Sequence, residues 1–179
     1  MQLAVAAYSG EPPRGLAAEA EAFVGELARL CPRATLFLGG YRGLMRVVAD
    51  AALQRGLRVV MVIPKVYEGD VFPGDAIVVR TGLDVRERSS ILVRSGEALA
   101  VLGGGIGTLF EALIACSYGI PVHQLVAEEA LLTSRLARCF PEGVLDPRVG
   151  CRIAYHRSGR ELAQAVCGRG SRGGAQVPG

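Results

Sequence analysis

The sequence predicts an α/β fold of three layers, with a mostly parallel central sheet covered by helices on both faces. Three observations predict it. Short β-type runs alternate with helix-type stretches along the chain, the order that builds parallel sheets through helical crossovers. Two runs, 57–63 and 98–102, are apolar without alternation, which suits strands buried on both faces and places them at the centre of a sheet of about six or seven strands. Glycine-rich segments follow three of the runs, at the strand ends where such folds bind ligands.

The elements follow in order. Residues 2–8 form an apolar run that ends in Ser9-Gly10, a first strand. Residues 13–30 carry alanine, glutamate and leucine at helical spacing, with Pro12 and Pro13 where a helix begins. A second strand spans 34–38 and closes on Gly39-Gly40. A helix over Gly43–Gln54 ends near Gly56, a C-terminal cap. Strands at 57–63 and 76–80 precede a helix over Val85–Arg94. The strand at 98–102 runs directly into GGGIGT and a helix over 108–118. A strand over 120–125, a helix over 128–139 with an apolar LLxxxLxxxF face, and a weak strand over 151–155 follow. Ser158-Gly-Arg-Glu161 matches a capping box and starts a closing helix. Residues 1–167 thus read as one domain. Residues 168–179, rich in glycine, lack the apolar groups of a core and read as a flexible tail.

The 179 residues, half of them hydrophobic and 21% charged, are enough for a single sizeable core and exclude a largely disordered chain. Within 1–167 there are 18 basic against 17 acidic residues, a net of +1. That balance gives no electrostatic footprint for nucleic acid, and no nucleic-acid partner is expected. No apolar run approaches the roughly 18 residues of a membrane span, and no charged-then-apolar leader opens the chain. The five cysteines are odd in number, widely spaced and never in a CxxC pair, which argues against a disulfide framework or a zinc site. A cytoplasmic, reduced setting without membrane attachment, metal or redox cofactor is therefore expected.

The strongest local signal is the strand at 98–102 followed by Gly103-Gly104-Gly105-Ile106-Gly107-Thr108 and a helix. Consecutive glycines turn the backbone sharply and leave its N–H groups open to a ligand. The helix start adds partial positive charge, so a phosphate is well matched there. The dinucleotide fingerprint is not met, since Thr108 stands where Gly or Ala is required and no acid follows about 20 residues on. Ser9-Gly10 and the segment Gly39, Gly40, Arg42, Gly43 are the two companion loops. Glu111 reads either as a site carboxylate or as the end of a Thr108–Glu111 capping box. Arg42, Arg86 and Arg88 read as phosphate anchors or as solvated arginines. Lys65, the sole lysine, is the one candidate for a pyridoxal anchor.

Together these motifs resemble a family. GGYRGLMRVVADAALQRG followed by RVVMVIPK looks like the GGGxxGLMGxxADAAxxxGG…VxGVIP segment of the lonely-guy (LOG) proteins, long labelled "possible lysine decarboxylase". GGGIGTLFE at 103–111 is similar to their PGGxGTxxE signature, and Arg88 stands at the spacing of the arginine in their MxxRKxxM helix. The resemblance spans about residues 3–125. It implies a Rossmann-like fold, a homodimer or larger homo-oligomer, and hydrolysis of the N-glycosidic bond of a nucleoside 5′-monophosphate to base and ribose 5-phosphate. Carried over by position, Gly104, Gly105, Gly107 and Thr108 hold the phosphate, and Arg88 and Glu111 are the catalytic pair. Gly103 stands in place of the signature proline, Ser89 in place of the lysine after the arginine, and Phe110 in place of a first glutamate. In these respects the chain looks like a branch that includes the molybdenum-cofactor carrier proteins, which implies a second reading: a non-catalytic carrier or sensor of a nucleotide or phosphorylated pterin. The lysine-decarboxylase label fares worst, because Lys65 follows a strand-end Ile-Pro that the hydrolases share.

Overall fold

The computed structural model describes residues 1–126 and 131–168. Apart from Gly168, the expected tail lies outside the described residues, as do the first residues of the helix expected over 128–139. Seven strands form one sheet: β1 (Gln2–Ala6), β2 (Thr35–Leu38), β3 (Arg58–Ile63), β4 (Ile77–Arg80), β5 (Ala98–Val101), β6 (Val122–Leu125) and β7 (Ile153–His156). Every pairing is parallel, in the order β4-β3-β2-β1-β5-β6-β7. Among the described residues, six α-helices connect and cover it: α1 (Arg14–Leu30), α2 (Gly43–Gln54), α3 (Val85–Arg94), α4 (Ile106–Ser117), α5 (Leu132–Cys139) and α6 (Gly159–Gly168).

Alternation along β1 builds both halves of the core. Leu3 and Val5 face one cluster with Leu16, Phe23 and Leu27 of α1, Leu44 and Val48 of α2, and Leu162 of α6. Ala4 and Ala6 face the opposite cluster with Val93 of α3 and Ala112 and Ala115 of α4. The chain starts at the centre of the sheet, fills one side through β4, then returns to β5 beside β1. This reversal makes β1 and β5 the switch point, and the loops after β2, β1 and β5 open side by side at one sheet edge. The three glycine segments are those loops.

Two expectations require correction. The run over 57–63 is not central: β3 lies second from the edge, with only β4 beyond it. Its uniform apolarity reports helices on both faces, which a near-edge strand shares with a central one. The cysteines do pair, Cys31 with Cys167 and Cys116 with Cys151, at Cα–Cα distances of 6.2 and 5.1 Å. The partners are 136 and 35 residues apart in sequence, and the packing of α6 along α1 brings the first two together. Among the described residues, Cys139 is the free thiol. No helix among them is long and apolar enough to cross a membrane.

Candidate functional site

A cleft of about 240 Å³ opens at the carboxyl ends of the central strands. Ser9 comes to it from the loop after β1, Gly39, Gly40 and Arg42 from the loop after β2, and Gly105, Gly107 and Thr108 from the loop after β5. Arg88 and Ser89 enter from α3, Glu111 from α4, and Tyr67 and Asp70 from the connection between β3 and β4.

The start of α3 is set by a full capping box, in which Asp84 accepts from the Arg86 and Glu87 N–H groups and Glu87 accepts from the Asp84 N–H. That start turns Arg88 and Ser89 inward, and both are buried. Arg88 is 6% exposed and Glu111 8%. The Arg88 Nη1 group donates to Glu111 Oε1 at 3.4 Å, and the Ser89 hydroxyl donates to the same oxygen at 3.0 Å. Arg88 Nε is buried without a hydrogen-bond partner. A Cβ at Gly39 would overlap the Arg88 guanidinium, so the glycine after β2 is the seat of this arginine. Burial pushes the Glu111 carboxyl above the ordinary glutamate range, while Arg88, Ser89 and Arg86 oppose the shift. The guanidinium keeps its charge, because arginine does not deprotonate in proteins.

The helix α4 begins at Ile106, two residues before the sequence predicts, with Gly105 at its N-cap and no side chain capping it. Thr108 is therefore inside the helix, and the Thr108–Glu111 capping box does not form. Glu111 is instead directed at α3. The unmet N–H groups of this first turn are those of the glycine loop. Four glycines expected in the site stand behind it rather than in its lining. Gly43, at φ +52°, passes so close to Gly10 that a Cβ would overlap the Gly10 carbonyl. Gly103 packs against Leu16 and Leu131. Gly104 lies against the Thr108 side chain and donates its N–H to Thr133 Oγ1 at 3.1 Å, so that N–H is not offered to a ligand.

Thr133, fully buried on α5, thus fixes the loop from behind, and Gln124 Nε2 donates to the Thr133 carbonyl at 2.8 Å. Thr133→Val keeps the shape and leaves the Gly104 N–H unmet. The expected cost is about 1–3 kcal/mol of stability, read as a lower urea midpoint at unchanged slope.

Arg42 is not the free cation that a phosphate anchor requires. Its Nε and Nη2 groups donate to the two Asp70 oxygens at 3.0 and 2.9 Å, and its guanidinium lies 4.2 Å over the Tyr67 ring. Arg86 lies outside, 5.5 Å over Phe110. Sequence reasoning missed Tyr67, Asp70, Ser89 and Thr133. For Tyr67 and Asp70 a signal existed, since their connection leaves the carboxyl end of β3 on the same edge as the glycine loops.

Residues 11–139 match the SLOG cluster4 family. Over 137 residues the chain is 27% identical to cytokinin riboside 5′-monophosphate phosphoribohydrolase LOG1 of Arabidopsis thaliana, covering 72% of this chain and 64% of that protein. The chain thus spans about two thirds of that relative's length. The molybdenum cofactor carrier protein of Chlamydomonas reinhardtii superposes with a TM-score of 0.77 at 19% identity, over 96% of this chain and 98% of that one. The molybdenum cofactor binding protein of Rippkaea orientalis gives 0.73 at 19% identity, over 92% and 94%. At these identities the two structures share the fold with this chain.

Proposed function

The chain belongs to the SLOG cluster4 family, and from that premise we propose that it is a nucleoside 5′-monophosphate phosphoribohydrolase, releasing base and ribose 5-phosphate. The observation that carries the proposal is the buried Arg88 with its unpartnered Nε beside Glu111, at the uncapped start of α4. A buried cation short of acceptors is costly, and a ligand phosphate supplies them. The first N–H groups of α4 supply further donors and a favourable dipole.

With the phosphate so held, the ribose lies beside Glu111. Both of that residue's hydrogen bonds fall on Oε1, which leaves Oε2 for the ligand. As the base departs, C1′ gains oxocarbenium character, which the carboxylate stabilises. Water adds its hydroxyl to C1′, Glu111 takes the water proton, and that proton ends on the released base. Arg88 and Ser89 hold the carboxylate in place through the cycle.

The acting form of Glu111 is the ionised one, and burial raises the pH at which it ionises. Turnover should therefore fall with decreasing pH through a limb above the ordinary glutamate value of about 4.3. A kcat profile from pH 4 to 9 checks this, and a limb at or below the ordinary value contradicts it. The function itself is tested by release of free base from a panel of nucleoside monophosphates, beside calorimetric binding of the same compounds. Tight binding with no release from any of them would replace the hydrolase with the carrier or sensor reading, which uses the same anion site.

A further inference from the structure

We infer that Arg42, pinned by Asp70 and backed by Tyr67, is the stacking platform for a flat heteroaromatic ring on the phosphorylated ligand. The inference rests on the proposed anion site at Arg88 and α4, and extends it to the other end of the ligand.

Three observations lead there. First, the Arg42 guanidinium has a fixed plane. Asp70 takes one edge with two bonds of 3.0 and 2.9 Å, and Tyr67 covers one face at 4.2 Å. Second, the side chain is accessible: Arg42 is 50% exposed and belongs to the cleft lining. A held, half-exposed guanidinium is suited to stacking, since its planar π-system and weak hydration favour aromatic partners. Its charge is already matched by Asp70, so the stack does not require an anion. Third, the dimensions agree. A cleft of about 240 Å³ is below the roughly 300 Å³ at which pockets enclose a whole drug-sized ligand. With the phosphate inside at α4, the far end of the ligand comes to the rim, where Arg42 stands.

Tyr67 links the two ends. Its ring carries Arg42 on one face, and it lines the same cleft as Arg88. Platform and anchor therefore line one cleft. Each Asp70 oxygen keeps acceptor capacity beyond its bond to Arg42, which suits a ring bearing an amino group at its edge.

The test compares a ligand with the ring and one without it. AMP and ribose 5-phosphate are titrated calorimetrically into the full chain and, so that AMP is not consumed, into its Glu111→Gln form. AMP should bind about tenfold or more tightly than ribose 5-phosphate, the scale of one base–aromatic stack. Arg42→Ala should remove most of that advantage and leave ribose 5-phosphate within about twofold of its original affinity. Arg42→Lys should behave like Arg42→Ala, because an ammonium has no plane to stack. Asp70→Asn, which loosens the plane without removing it, should weaken AMP alone and by less. Equal weakening of both ligands by Arg42→Ala would make Arg42 a phosphate anchor and overturn the inference. An unchanged AMP affinity would place the ring elsewhere and overturn it as well. Should neither compound bind the parent chain, the anion site itself fails, and the platform fails with it.

Discussion

Replacing Glu111 by glutamine should lower the rate of base release by about 10²–10⁴-fold while leaving monophosphate affinity within a few-fold of the parent. The charge that Glu111 stabilises exists only as the glycosidic bond breaks, so the loss belongs to kcat and not to binding. Glutamine keeps the size of the side chain and an acceptor for the Ser89 hydroxyl, which lies 3.0 Å from Oε1. It also takes the counter-charge from the buried Arg88, which is costly, so the variant should melt below the parent. Single-turnover rates on AMP with circular dichroism melts on both proteins separate the two effects. A variant that binds and turns over at the parental rate would show that Glu111 is not the reacting carboxylate. The pH limb should disappear in the same variant, since the amide does not titrate.

The role of Glu111 could not be decided from its sequence neighbourhood. Thr108 and Glu111 have the spacing of a capping box, and spacing alone supports that reading as well as a catalytic one. Where α4 begins removes the capping box. With Gly105 at the N-cap, Thr108 is already a helical residue and its side chain meets Gly104. Glu111, the sixth residue of the helix, no longer reaches the cap. It reaches α3 instead, where Ser89 and Arg88 wait on a face fixed by the Asp84–Glu87 box. Asp84 and Glu87 have the same spacing in the sequence as Thr108 and Glu111, and there the box does form.

The sheet and the helices were legible because each reports on itself. Apolar runs mark strands buried on both faces, and the helix over Gly43–Gln54 ends as written, with Gly56 at φ +73° just beyond it. Position within the sheet was not legible, and β3 shows why: the pattern of burial depends on the helices above and below, not on the number of strands beside it. Contacts between distant segments were equally hidden. Arg42 and Asp70 are 28 residues apart, Gly104 and Thr133 are 29 apart, and no local pattern of charge or polarity ties one to the other. The cysteine pairs follow the same logic. Odd number and wide spacing describe the chain, whereas pairing depends on which segments the fold brings together.

The second large effect is expected at Gly105. Most glycines near the cleft answer to the protein itself: Gly39 to Arg88, Gly43 to the neighbouring loop, Gly104 to Thr108. Gly105 answers to none of these. Its φ of −105° is open to other residues, and a Cβ there meets no heavy atom within 4 Å. The turn itself therefore has room for a side chain, contrary to the crowding that three consecutive glycines suggest. That side chain would occupy space at the α4 N-terminus, in the lining of the cleft. Gly105→Val should leave the melting temperature nearly unchanged and weaken AMP and inorganic phosphate alike by about 100-fold. That factor corresponds to roughly 3 kcal/mol, the loss of one or two charge-assisted hydrogen bonds from backbone N–H groups to phosphate. Gly105→Ala should fall between, because a single methyl obstructs less of the approach. The expected separation is sharp: affinity lost, fold kept, and both ligands affected equally because the phosphate is what they share. If Gly105→Val binds phosphate as the parent does, the anion is held elsewhere, and the uncapped start of α4 has no part in it.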